Sequence, residues 1–298
     1  MKFNKPALSI SDQITLLRKR GLIIEETSIT ENFLSHISFH RLKAYAYPYQ
    51  DLNRGKQHFK TGVRFEMIIQ DYIFDRKLKL LIFEAIEKIE IAFRTQIINK
   101  YSIAYGSHWY ELEDLFHINN YFVNNLERID RELRSTHEIF IKLYRSKYSH
   151  PIRPPVWMAL ELVSFGTLSK MFENLKRCPE KKQIAAHFGL DIVILESWLH
   201  HLSIVRNICA HHSRLWNTDI PSGVKLPKRP KNNWLTNHNN LDIHRVYITL
   251  SCIRYLLNVI TPDNSFNSEL QRLLEEYPKI NLRAMNFPDE WKNEPLWK

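Results

Sequence analysis

The amino-acid sequence predicts an all-α protein. Three observations carry that expectation: only 7 glycines in 298 residues, no run in which apolar and polar residues alternate, and long segments whose apolar residues recur at spacings of three and four. In chain order, Ser11 reads as the N-cap of a first helix that Gly21 stops, and a second begins near Thr30 and carries Phe33, Leu34, Ile37 and Leu42. The segment from about Phe65 to Lys100 is apolar on most of its circumference, as expected of a long central helix buried on several sides. A helix from about Asn119 to Lys147 follows. The Pro-rich run His150-Pro151-Ile152-Arg153-Pro154-Pro155 then breaks the pattern, and a helix can start again at Val156. Pro179 fits the first turn of a short helix ended by Gly189, and a further helix runs from about Asp191 to Arg214. Residues Pro221 to Asn240 hold three prolines with Lys225, Lys228, Arg229 and Lys231, the composition of a basic surface loop. A last core helix spans about Leu241 to Ile260, and the tail from Pro278, with Trp291 and Trp297, reads as irregular or loosely docked.

These elements group into an N-terminal helical region over 1–60, a helical domain over 61–262 that includes the loop at 221–240, and a C-terminal helix and tail over 263–298. A content of 44% hydrophobic and 12% aromatic residues is ample for a packed core. Lys and Arg total 42 against 32 Asp and Glu, a formal charge of +10 that favours a polyanionic partner. Cys178, Cys209 and Cys252 are odd in number, far apart and without a C-x-x-C pair, which argues against a disulfide framework or a thiolate zinc knuckle. No stretch approaches the ~20 uncharged apolar residues that span a bilayer. The expected location is therefore the cytoplasm, without membrane contact.

Chemistry concentrates on the helix that starts near Asp191. Steps of ~100° per residue place Leu195, Leu199, Leu202 and Arg206 along one stripe. A guanidinium in line with an apolar stripe keeps its charge, so it meets a carboxylate, opens into a cleft or faces a bound anion. Asn207, His211 and His212 follow within the next two turns. Cleavage of RNA without a metal needs proton transfer from the 2′-hydroxyl and to the leaving oxygen, together with positive charge on the crowded phosphate. Imidazole and guanidinium supply both, provided a second proton donor is at hand. A homodimer pairing this helix with its symmetry mate would bring a second His211 and Arg206 into one cleft.

The spacing of Arg206 and His211, with four residues between them, is similar to the signature of HEPN ribonucleases, in which an Arg precedes a His by a short interval. The surrounding text is more specific. Phe39-His40-Arg41-Leu42-Lys43-Ala44-Tyr45-Ala46-Tyr47-Pro48-Tyr49 resembles an early motif of the AbiD/AbiF-like abortive infection proteins of bacteria. So do Phe74-Asp75-Arg76-Lys77-Leu78 with Ala85-Ile86-Glu87-Lys88-Ile89-Glu90, then Ser164-Phe165-Gly166-Thr167-Leu168-Ser169, and finally the run from Arg206 to Asn217. The resemblance covers most of residues 10 to 260 and implies a HEPN-like helical bundle, a role in anti-phage defence or toxin–antitoxin control, and RNA as substrate. Some members are associated with a small structured RNA, a second RNA partner. Carried over by position, Arg206 would stabilise the phosphorane-like transition state, His211 would act as general acid or base, and Asn207 would orient that histidine or bond the substrate. The implied products are a 2′,3′-cyclic phosphate and a 5′-hydroxyl, with no cofactor. The same residues admit an alternative, a catalytically silent RNA-binding protein that holds a small structured RNA.

Several further residues carry two readings each. His212 is a second candidate for proton transfer, or closes the apolar stripe as a core residue. Glu87 either pairs with Arg206 and fixes its direction or sits in a solvated pair, whereas Glu90 is matched to Arg94 four residues on. His200, His201, His211 and His212 lie near Cys209, but no two of these histidines are four residues apart, a spacing that speaks against a zinc site. Tyr45, Tyr47 and Tyr49 with Arg41 and Lys43 mix rings and charge as base-stacking surfaces do. Their two-residue spacing forces some rings outward on a helix and leaves others for the core. Arg214 and the loop cations Lys225, Lys228, Arg229 and Lys231 complete the candidates for phosphate contact.

Overall fold

The computed structural model describes residues 6–51, 53, 57–236 and 241–298. The regular elements among them are all helical, as the spacing predicts, with isolated β-bridges and no strand. Two compact units divide the chain: Met1–Leu78 with Arg272–Ile280, and Lys79–Gln271 with Asn281–Lys298.

In the first unit, α1 (Ile10–Lys19) begins two residues earlier than Ser11 would place it, because the Ser9 hydroxyl accepts the Asp12 N–H at 3.1 Å. The second expected helix is two helices, α2 (Thr27–His36) and α3 (Phe39–Ala46). Ser38 takes the extended backbone of a cap and accepts the Arg41 N–H, which the hydrophobic spacing across Ile37 and Leu42 conceals. The first fourteen residues of α4 (Phe65–Tyr105) belong to this unit and bury Asp71 and Asp75 beside Phe74. The Tyr45 hydroxyl donates to Asp75 at 2.6 Å and the Tyr49 hydroxyl to Asp71 at 2.8 Å, so two of the three tyrosines turn inward and only Tyr47 is exposed. Burial pushes the Asp71 carboxyl up to about 6 against the bond from Tyr49, and the charge of Asp75 adds to the rise.

In the second unit, α4 continues from Lys79 to Tyr105, five residues beyond the expected end. Its residues Ile82, Ile86, Ile89, Phe93 and Ile97 are fully buried, while Leu80 and Ile91 remain 57% and 53% exposed, so the helix is not covered all round. The predicted Asn119–Lys147 helix is interrupted. α5 (Asn119–Ser135) ends at Thr136, whose hydroxyl accepts the Glu138 N–H at 3.2 Å before α6 (Ile139–Lys147) starts. α7 (Val156–Ala159) follows the proline run, and Ser164 caps α8 (Phe165–Asn174), which packs on α5. α9 (Pro179–His187) leads into α10 (Ile192–Ala210), which lies against α8, α9 and α11 (Val246–Ile260). α11 starts five residues later than the expected Leu241. Trp198, Trp234 and Tyr255 form a ring cluster with centroids 4.9–5.7 Å apart.

α12 (Phe266–Glu276) is followed by a tail that is irregular but not loosely docked, since Phe287, Trp291, Leu296 and Trp297 are buried and Trp297 stacks on Tyr247. Residues 237–240, the end of the expected basic loop, lie outside the described residues. No single helix among the described residues is long and apolar enough to cross a membrane.

Candidate functional site

Periodicity builds the site. Leu195, Leu199 and Leu202 on α10 are buried as the stripe predicts, and Arg206, next along it, is half-buried where the stripe reaches the surface. Its guanidinium lies over the ring of Phe83 on α4, 5.6 Å from the centroid, and its Nη1 makes a long 3.5 Å contact to the Asn207 Oδ1. An exposed cation–ring contact of this kind contributes about 0.5–1 kcal/mol, enough to orient the side chain without neutralising it. Among the described residues Arg206 has no carboxylate partner. The expected Glu87–Arg206 pair does not form: Glu87, one turn from Phe83, is exposed, and its face of α4 also carries the exposed Leu80 and Ile91. Glu90 does pair with Arg94, at 2.6 Å, and Arg94 Nη2 also donates to the Val163 carbonyl at 3.1 Å.

The end of α10 differs from the sequence expectation and for a local reason. The helix stops at Ala210 rather than Arg214, with His211 as C-cap, its N–H donating to the Asn207 carbonyl at 2.9 Å. His212 adopts a left-handed backbone, φ +57°, and the Ser213 N–H returns to the Ile208 carbonyl at 3.0 Å, the six-to-one bond of a Schellman turn. No glycine marks this stop; a histidine takes its seat. The buried Lys79 ammonium on α4 donates to the Ser213 carbonyl at 2.9 Å, so α4 holds the turn from both sides, by Lys79 beneath it and Phe83 under Arg206.

The consequence is a surface on which Asn207 and His211 are exposed one turn apart beside Arg206. Among the described residues the His211 ring has no hydrogen-bond partner and is open to solvent. His212 is exposed as well and does not close the apolar stripe. Arg214 is half-buried just past the turn. Arg41 and Lys43 are exposed on α3, in the first unit rather than in the unit that holds Arg206.

His201 is a core residue. Its Nδ1–H donates to the Ser222 carbonyl at 2.7 Å and its Nε2 accepts from the Thr249 hydroxyl at 2.8 Å, which ties α10 to the loop before Lys225 and to α11. Burial pushes it down to about 4, and the nearby His244 and His200 push the same way against the bond to Ser222. His200 is exposed. Among the described residues no group of three or more His, Cys, Asp or Glu side chains converges as metal ligands do.

The loop cations Lys225, Lys228, Arg229 and Lys231 are all exposed. Phe83, Lys79 and the His201 network escape sequence reasoning. Phe83 alone had a signal, since it stands one turn before the singled-out Glu87 on α4.

The family described as Abi-like protein matches residues 32–217, more than half of the chain. No curated protein and no solved structure matches.

Proposed function

The chain belongs to the Abi-like protein family, and from that premise we propose that its role in abortive infection is carried out as a HEPN-type endoribonuclease. The observation that carries this reading is the pairing, at the C-terminal end of α10, of a guanidinium and an exposed imidazole one turn apart, the first without a carboxylate partner and the second without a hydrogen bond among the described residues. In the step proposed, the RNA 2′-oxygen forms a bond to the adjacent phosphorus as its proton passes to one imidazole. The bond from phosphorus to the 5′-oxygen breaks as a second imidazole, protonated, gives that oxygen its proton. Arg206 offsets the charge that gathers on the non-bridging oxygens. Asn207, within reach of Arg206, holds the guanidinium toward the phosphate. The products are a 2′,3′-cyclic phosphate and a 5′-hydroxyl, and the chemistry calls on no cofactor.

His211 is the proton-transfer group proposed for each chain, and on this reading the acid and the base come from two copies. His200, Ile204, Asn207 and His211, spaced four, three and four apart on the exposed or half-buried face of α10, suit a seam between two such helices. A two-fold axis near Asn207 would then bring both His211 rings to one linkage. The exposed Leu80 and Ile91 beside Phe83 are apolar surface that such a partner would cover. A small structured RNA is the proposed restraint on the toxin.

The test is incubation of the purified chain with total RNA in EDTA and analysis of product ends. Cyclic-phosphate ends are expected from the wild type, with Arg206→Ala and His211→Ala each slower by about 10²–10⁴-fold. Undiminished cleavage by both variants would remove the site. RNA binding without any cleavage would favour the alternative, a catalytically silent RNA-binding protein.

A further inference from the structure

At the other end of α10 from Arg206 lies a cavity of about 620 Å³, within the range of small-molecule and nucleotide sites. It is framed by the turn between α9 and α10 on one side and the basic loop on the other. Five cations line it, Arg177, Lys182, Lys228, Arg229 and Lys231, against one carboxylate, Asp191. Among the described residues none of the five cations has an anionic partner. Like charges so gathered repel unless an anion sits among them, and their excess focuses positive potential into the concavity.

The loop is fixed, not merely solvated. The Lys225 N–H donates to the Ser197 hydroxyl and its carbonyl accepts from the Trp198 indole N–H, both at 2.9 Å. At the other end of the cation run, the Lys231 N–H donates to the Gly189 carbonyl at 3.3 Å, and the Tyr255 hydroxyl donates to the same oxygen at 2.9 Å. Lys228 and Arg229 are thus held between two anchors on or beside α10. The first helical residues, Ile192 and Val193, also line the cavity, and the Asp191 side chain makes no cap bond to their turn. The positive end of a 19-residue helix therefore adds to the cations. Leu190, Leu226 and Pro227 give the remaining wall an apolar surface.

A ligand matching these walls carries an anionic group and a compact, less polar group a few ångströms away. We propose that the cavity binds a nucleotide, its phosphate among the five cations and its base and sugar against the apolar wall. The nucleotide is either one unit of a single-stranded RNA or a free mononucleotide. This site goes beyond the Arg206–His211 reading: the fourteen steps from Ile192 to Arg206 span about 21 Å at 1.5 Å each, so neither set of side chains depends on the other.

Binding is measured on the full chain carrying His211→Ala, with a 5′-labelled twelve-nucleotide oligoribonucleotide and, separately, with 5′-AMP. Lys182→Ala/Arg229→Ala is expected to weaken the oligonucleotide by at least about ten-fold at ~0.1 M salt and to flatten the log–log salt slope by roughly 0.7, the share of the one phosphate that the cavity holds. Arg177→Ala/Lys228→Ala should do the same. Loss of the oligonucleotide response alone identifies a strand as the source. Loss of 5′-AMP binding as well identifies a free nucleotide. The control Arg131→Ala/Lys142→Ala removes equal charge from exposed positions on α5 and α6 and should leave both probes unaffected. The cavity is overturned if neither probe binds the unsubstituted cavity, if both cavity pairs bind as before, or if the control weakens binding equally. Weakened binding together with an inert wild type would sink the nuclease reading and leave the cavity standing; active cleavage with unchanged binding would do the reverse.

Discussion

Lowering the pH should loosen the second unit through one buried ring. His201 is fully enclosed, held neutral with the proton on Nδ1 facing the Ser222 carbonyl, and pushed down to about 4. In the unfolded chain its value is the ordinary ~6.5. Between those values the unfolded state binds more protons than the folded one, so stability falls as the pH falls. The effect is absent above the unfolded value and complete below the folded one. At pH 5 the unfolded ring is about 97% protonated and the folded ring about 10%, a differential of about 2 kcal/mol relative to pH 8. The full range to below pH 4 is about 3 kcal/mol. The measurement is urea denaturation of the wild type and His201→Asn at pH 8, 6.5 and 5, followed through the tryptophan signal. The variant carries a constant deficit from its altered bonds to Ser222 and Thr249, but that deficit should shrink by about 2 kcal/mol between pH 8 and 5. A deficit that stays constant within ~0.5 kcal/mol over that range would show that His201 does not titrate between folded and unfolded states in this window.

In the first unit the sign reverses. Asp71 is pushed up to about 6 from 3.8, so its folded form binds the extra proton and stability is lost as the pH rises through that interval. Asp71→Asn, which still accepts from Tyr49, should therefore stabilise by about 3 kcal/mol at pH 8 and by little at pH 4; an equal effect at both, in denaturation curves, would refute it. At Gly189 the backbone is left-handed, φ +67°, and an added Cβ would stand 2.8 Å from the Tyr255 hydroxyl and 3.0 Å from the Asn232 amide nitrogen. Gly189→Ala should cost about 2 kcal/mol or more in unfolding free energy and release Lys231 from its anchor. A cost below ~0.5 kcal/mol would mean that the loop is not pinned there.

What the sequence makes legible is what repeats along it. The Leu195–Leu199–Leu202 stripe, the long helix from Phe65 and the Glu90–Arg94 pair all follow from 3.6-residue periodicity. Stops that lack glycine or proline do not: Ser38, Thr136 and His212 interrupt helices with side-chain caps or a left-handed residue in stretches whose hydrophobic spacing continues. Contacts between distant segments are equally silent. His201 meets Ser222 and Thr249, 21 and 48 residues away, and Arg177 and Lys182 join the loop cations only because Gly189 lets the chain approach closely. Arg206 shows both sides of this. Its place on the stripe was readable, whereas the choice of Phe83 over Glu87 as its neighbour depends on which face of α4 is presented.

α10 ties these features into one rigid element. Its first turn lines the cation-rich cavity, its middle is locked by His201, and its C-terminal end carries Arg206 and Asn207 with His211 as the cap. A helix does not shorten under load, so the two ends keep their separation of about 21 Å. If the two proposed sites share one substrate, a strand between them whose bases stay stacked spans roughly six nucleotides at a rise of ~3.4 Å each. A duplex would have to present bases and 2′-hydroxyls along that path while paired, whereas an unpaired segment can follow it, with its phosphate held at one end and its scissile linkage at the other. The arrangement therefore favours an unpaired stretch of RNA over a continuous helix. On the same proposal, a structured regulatory RNA would restrain the chain by filling the cation-rich end while its pairing kept any linkage from reaching His211.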